Sequence, residues 1–115
     1  MNRSRQILEL EASLGQLVEI LHLDPQCQWR QHFESCLARA QNFVAGGFSQ
    51  TELNELSSSV TQVYAGVGSF NDYAPANYDQ VSGRHVVISG AERFSEVAGQ
   101  VHEQALALRV VGNAL

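Results

Sequence analysis

Between residues 66 and 79 the chain reads Gly66-Val67-Gly68-Ser69-Phe70-Asn71-Asp72-Tyr73-Ala74-Pro75-Ala76-Asn77-Tyr78-Asp79, its densest mixture of chemically useful side chains. Ser69 offers a hydroxyl, Asn71 and Asn77 amides, and Asp72 and Asp79 carboxylates. Phe70, Tyr73 and Tyr78 offer aromatic surface. That combination suits binding: aromatics supply contact area and the polar groups fix orientation. Ser69, Phe70, Asn71, Asp72, Tyr73, Tyr78 and Asp79 are therefore the candidate binding residues. The competing reading is structural, with the Asx and Ser side chains bonding their own backbone and the aromatics plugging the core.

Other chemistries fit the residue types less well. Gly66-Val67-Gly68 begins like a dinucleotide fingerprint, but the third glycine is missing and a helical pattern precedes it in place of a strand. A Walker lysine is excluded because the chain has no lysine. Asp72 and Asp79 could offer oxygen ligands to calcium, yet the alternating ligand positions and closing glutamate of an EF-hand loop are absent. The four histidines, His22, His32, His85 and His102, show no metal-ligand spacing. Ser57, Ser58 and Ser59 lie in a helical pattern and not on a nucleophile elbow. Cys27 and Cys36 would need an adjacent base to act as nucleophiles, and Cys36 beside Leu37 reads as core. No catalytic residue, metal or cofactor is expected, and the balance leans away from an enzyme.

These side chains must be held by the elements around them. Ile7, Leu10, Leu14, Leu17 and Leu21 recur in steps of three and four, widened by Leu8 and Val18, which predicts a helix over about 6–21. Pro25 ends it, and Asp24 followed by Pro25 predicts that the second helix starts there, with Asp24 as its N-cap. That helix carries Trp29, Phe33, Cys36 or Leu37, Ala40 and Phe43 on one face, with His32 at the edge of the stripe, and stops at Gly46-Gly47. Both cysteines would then stand on one helix, about 13.5 Å apart along its axis and on opposite faces. A disulfide is out of reach at that separation, so two free thiols are expected. Ser49-Gln50-Thr51-Glu52 is a capping box opening the third helix, with Leu53, Leu56, Val60, Val63 and Tyr64 inward.

The segment 66–90 has no helical period. At about 25 residues it exceeds the 12–15 beyond which a loop is uncommon in a compact domain, and its aromatics argue that it is ordered. His85-Val86-Val87-Ile88 is a short β-type run without an evident partner, and whether it forms a strand stays open. The last helix is predicted over about Ala91–Val110 through Phe94, Val97, Val101, Ala105 and Leu108, with His102 at its boundary and residues 111–115 frayed. The expected fold is one all-α, four-helix domain spanning residues 1–115, with a long ordered loop between helices 3 and 4.

The run Gly66-Val67-Gly68-Ser69-Phe70-Asn71-Asp72-Tyr73, behind a leucine-rich helical N-terminus and ahead of Ala105-Leu106-Ala107-Leu108-Arg109, resembles an uncharacterised family of small bacterial proteins. The resemblance covers roughly the last two-thirds of the chain, its distinctive part is Ser-Phe-Asn-Asp-Tyr, and the first helix carries none of it. It implies a bacterial origin and no mechanism.

Composition narrows the function classes. The chain has 115 residues, 44% apolar and 17% charged, with a formal charge of −5. This is enough chain to fold around one core without staples. Arg3, Arg5, Arg30, Arg39, Arg84, Arg93 and Arg109 are scattered among acids, so no basic stripe for nucleic acid exists. No apolar stretch reaches membrane-spanning length, and Glu9 and Glu11 interrupt any signal-peptide core, which predicts a cytoplasmic protein. Two function classes remain. The first is a non-enzymatic interaction module presenting residues 66–85 to a protein partner; in its most concrete form this is an immunity- or antitoxin-type protein whose acidic surface covers a cationic partner. The second is a small-ligand binding protein or minor enzyme. Its pocket would lie between the loop and the helices, with Asp72 and Tyr73 as polar groups and Tyr78 as a lid. A homodimer seam along the first helix is not favoured, since that stripe is short for a coiled coil and serves more readily as internal core.

Overall fold

The computed structural model describes residues 3–66 and 68–109. Four helices, α1 (Arg3–His22), α2 (Arg30–Gly46), α3 (Gln50–Thr61) and α4 (Phe94–Ala107), enclose one core, and a two-stranded hairpin of β1 (Ala76–Asp79) and β2 (Arg84–Val87) precedes α4. The all-α, four-helix expectation holds, with the hairpin added inside the long connection. The expected fraying of 111–115 lies outside the described residues.

The apolar period of α1 becomes the centre of the core. Ile7, Leu10, Leu14, Leu17 and Leu21 are all buried, while Leu8 stays half exposed. α1 packs on α2 and α4, and α3 packs on the same two, so α1 and α3 sit on opposite corners of the bundle. Direction follows from hydrogen bonds between helix ends. Arg3 at the start of α1 donates to the Ala107 carbonyl at the end of α4, and Gln50 at the start of α3 donates to the Leu108 carbonyl. α4 therefore runs antiparallel to both neighbours. Phe33, Leu53, Leu56, Val60, Val97, Val101 and Leu108 complete the packed interior.

α2 begins later than its sequence suggests. Asp24 turns its carboxylate to a tight turn, accepting from the Gln26 N–H at 3.0 Å, while its own carbonyl accepts from the Cys27 N–H at 3.1 Å. Asp24 thus caps a turn and not a helix, and α2 opens at Arg30 with no side-chain cap. Cys27 consequently sits ahead of α2, and both thiols are free. α3 is capped as its sequence requires: Ser49 Oγ accepts from the Glu52 N–H at 3.1 Å and Glu52 Oε1 from the Ser49 N–H at 2.8 Å. α4 starts at Phe94, because Ala91 and Phe94 are first tied into a turn by N–H donation to the Ile88 and Ala91 carbonyls.

The β-type run finds its partner in Ala76–Asp79. The strands are antiparallel in the register Ala76↔Val87, Asn77↔Val86, Tyr78↔His85 and Asp79↔Arg84. Ala-Asn-Tyr-Asp carries no β pattern of its own, which is why no partner is visible in sequence. At the tip, the Gly83 N–H donates to the Asp79 carbonyl at 2.8 Å, with Gly83 in the left-handed region at φ 72°. Among the described residues no helix is long and apolar enough to cross a membrane.

Candidate functional site

The seven candidate residues divide into two groups that point in opposite directions. Phe70 is 2% exposed and is the plug of the interior. Its ring lies 4.7 Å from that of Phe33, 5.2 Å from Tyr64, 5.5 Å from Phe94, 5.9 Å from Tyr73 and 6.0 Å from Trp29. Every helix except α1 is represented in or beside that cluster. Burial of this much aromatic surface, with tilted and edge contacts, is what orders the loop.

The polar residues beside it serve the backbone. Ser69 is buried, and its Oγ accepts from the Asn71 N–H at 3.2 Å, opening a short 3-10 turn over Phe70–Asp72. Asn71 donates its side-chain amide to the Tyr64 carbonyl, closing the loop onto the end of the 3-10 turn that follows α3. Asp72 Oδ2 accepts from the Gly68 N–H at 2.7 Å. For Ser69, Phe70 and Asp72 the structural role is thus the observed one.

Tyr73 reaches across the molecule. Its hydroxyl donates to Asp24 Oδ2 at 2.7 Å, pinning the loop to the turn between α1 and α2. Burial, then hydrogen bonding to Asp24 and Cys27, pushes the Tyr73 phenol far above its ordinary range, so it stays protonated and holds that bond. The two groups lie 49 residues apart in the chain.

The hairpin does present itself. Tyr78 is 59% exposed, Val86 and Val87 are half exposed, and Val81 at the tip is 96% exposed. Tyr78 stacks edge-on against the cross-strand His85 ring at 5.5 Å, which aligns Ala76, Tyr78, His85 and Val87 on one face. Asp79 holds the tip: its carboxyl accepts from the Val81 N–H at 3.2 Å, and hydrogen bonding to Ser82 and Val81 keeps it below the usual carboxylate range.

A groove of about 880 Å³ opens between the loop and α4, floored by Tyr64, Phe70 and Ala98 and flanked by Asn71 and Tyr73 on one side and Glu96, Gly99, Gln100 and Glu103 on the other. A pocket between loop and helix therefore exists, but its composition differs from the sequence expectation. Tyr73 lines it, while Asp72 does not. Tyr78 stands on the hairpin and is no lid. The α4 wall carries no signal in sequence beyond Gly99, a glycine inside a helical pattern. His102, whose ring lies 4.6 Å from that of Tyr64, also lines the groove.

Nucleophilic chemistry finds no support in the one thiol beside an imidazole. Cys36 Sγ lies 3.8 Å from His32 Nε2, but that nitrogen also lies 2.7 Å from the Ser59 carbonyl and must donate to it. Burial pushes the Cys36 thiol up to about 11, so it is not a thiolate at neutral pH. Among the described residues no group of three or more His, Cys, Asp or Glu side chains is placed to hold a metal.

Comparison with known proteins gives a family and no activity. A family model described as a domain of unknown function, DUF6966, matches residues 22–82. The chain belongs to that family. The DUF6966 match runs from the end of α1 through α2, α3 and the loop to the tip of the hairpin. It contains all seven candidate residues and stops short of Ala105–Arg109. No curated protein and no solved structure gives a significant match.

Proposed function

We propose that this DUF6966 protein is a non-enzymatic interaction module and that the hairpin, residues 76–87, is the surface it presents to a protein partner. One observation carries the reading: Tyr78 and Val87 are exposed on one face of the hairpin, Val86 on the other and Val81 at its tip, and no helix packs extensively against either strand. A lone hairpin is marginal in water, and exposed apolar side chains concentrated on one such element mark an interaction surface more than they serve a free monomer. The charge of −5 favours a cationic partner. In its most concrete form the protein is a bacterial, cytoplasmic immunity- or antitoxin-type module. The test is capture from the native host with wild type and a Tyr78→Ser/Val81→Ser variant, followed by calorimetry on the purified partner at low and high salt. Partner loss in the variant, with weaker binding at high salt, is expected. Equal retention by both proteins refutes the hairpin as the presented surface.

The groove favours a second reading, a small-ligand site. A rise in melting temperature with a small metabolite, lost when the groove is filled by Gly99→Gln, distinguishes it from the first.

A further inference from the structure

The register of the hairpin decides which backbone groups it leaves free. The Ile88 N–H donates to the Pro75 carbonyl at 2.9 Å, continuing the pairing beyond Ala76↔Val87. Hydrogen-bonded and non-hydrogen-bonded pairs alternate in an antiparallel ladder, so Asn77↔Val86 and Asp79↔Arg84 exchange the bonds between the strands. The N–H and C=O groups of Ala76 and Tyr78 on β1, and of His85 and Val87 on β2, therefore point away from the hairpin along its two edges. None of them enters another hydrogen bond among the described residues.

The two edges are not equivalent. β2 is exposed along all four residues, whereas Ala76 and Asp79 at the ends of β1 are half-buried. Exposed edges are commonly blunted by a proline or a bulge. β2 has no proline and pairs with β1 residue for residue. Its arginine, Arg84, makes no ion pair among the described residues, because the cross-strand Asp79 carboxyl is turned to the Val81 N–H and to Ser82.

We infer that the protein partner adds an extended strand, antiparallel, to the free edge of β2, with a carboxylate side chain opposite Arg84. The outward groups of His85 and Val87 recur about 6.8 Å apart, the repeat of every second residue in an extended chain. A helix cannot meet them, since its own backbone groups are already paired. A second copy of this chain suits the edge less well. Symmetric pairing about Val86 would set Arg84 opposite Ile88 and bring together two chains of charge −5. The inference rests on the interaction reading and states how the hairpin engages its partner.

The probe is the capped peptide acetyl-Thr-Thr-Val-Thr-Glu-Thr-amide, titrated into the isotopically labelled full chain and followed by amide chemical shifts. Saturable shifts at residues 84–88 are expected, with slower exchange of the His85 and Val87 amides. N-methylation of the second and fourth peptide residues, opposite Val87 and His85, removes the donors to the edge and weakens binding about tenfold. N-methylation of the third and fifth leaves those donors in place and the affinity within about threefold. Glutamine for the peptide glutamate, or Arg84→Gln, weakens binding about threefold. Val87→Pro deletes an N–H that β1 does not use, so the hairpin persists and binding is lost, while Val87→Thr binds as wild type. Equal binding of the two methylated peptides, retention by Val87→Pro, or no saturable binding overturns the inference. A dimeric mass for the free chain that Val87→Pro reduces to a monomer gives the edge to a second copy and overturns it as well. The Tyr78→Ser/Val81→Ser capture leaves the β2 backbone untouched and decides the interaction reading separately.

Discussion

Whether residues 66–73 are a plug or a patch can be decided by two substitutions, Phe70→Ala and Val81→Ser. Phe70 is 2% exposed and touches five other rings, while Val81 is 96% exposed. Truncating a buried phenylalanine to alanine costs about 3–5 kcal/mol, from lost transfer energy plus the cavity that remains. A domain of this length is stable by roughly 6–17 kcal/mol, so Phe70→Ala removes a large share of the total. With a urea slope of about 1–3 kcal/mol per molar, the midpoint falls by roughly 2 M. Val81→Ser changes no packed contact and stays within about 0.5 kcal/mol of wild type. The assay is urea unfolding read by the fluorescence of Trp29, the single tryptophan, which lies against Phe70. Far-UV circular dichroism serves as the second probe, because the substitution alters the surroundings of the tryptophan. A cost below about 1 kcal/mol for Phe70→Ala, accompanied by loss of the partner, refutes the reasoning and returns Phe70 to the surface.

Ser49→Ala removes the side-chain half of the α3 capping box, keeping the backbone N–H bond to Glu52, and lowers stability by about 1 kcal/mol in a thermal melt, with the fold retained. Tyr73→Phe leaves Asp24 Oδ2 without its phenol donor; a loss of about 1–3 kcal/mol and faster amide exchange at Gly68 and Asn71 are expected. Alkaline stability should depend on Cys36. The unfolded thiol ionises near 9 and the folded one near 11, so the folded state binds more protons between those values. The contribution is full below pH 9 and is lost as pH rises to 11, by about 2–3 kcal/mol at most. Urea midpoints against pH should fall less steeply in Cys36→Ala, where only the protonated phenols of Tyr64 and Tyr73 still act in the same direction. Iodoacetamide should label Cys27 in the native protein and reach Cys36 only in urea, as peptide mass mapping would show.

The helices were legible in the sequence because their signals are local. Ile7 to Leu21 repeats within one element, and Ser49 with Glu52 is a complete cap in four residues. The start of α2 was not legible, because Asp24-Pro25 is a sound N-terminal signal in isolation. What overrides it is Tyr73, 49 residues away, which takes the other oxygen of the Asp24 carboxylate. The candidate site was legible as a segment and illegible as a surface. Composition marked residues 68–79 as ordered and aromatic, but burial is a tertiary property. Nothing in Ser-Phe-Asn-Asp-Tyr-Ala-Pro-Ala-Asn-Tyr-Asp says that Phe70 turns inward and Tyr78 outward. The hairpin partner was hidden for the same reason, since a strand with Asn and Asp at alternate places is defined by its neighbour and its turn.

The DUF6966 match and the proposed contacts divide the chain at an informative place. Residues 22–82 hold the aromatic plug, the Tyr73–Asp24 tie and the first strand with its tip. The second strand and the whole of α4 lie beyond them, yet each proposed surface needs both parts. Ala76 and Tyr78 form a face only with Val87 and His85, and Asn71 and Tyr73 form a groove only with Glu96, Gly99 and Glu103. The plug constrains what the loop residues can be, because Phe70 must fill a fixed space among five rings. The outer face of α4 is under no such constraint: Gly99 and Glu103 are exposed, and a Cβ built at Gly99 would meet nothing within 4 Å. A chain of this architecture can therefore exchange residues 96, 99 and 103 without losing its core. The matched segment supplies one wall of the groove and α4, outside the match, the other.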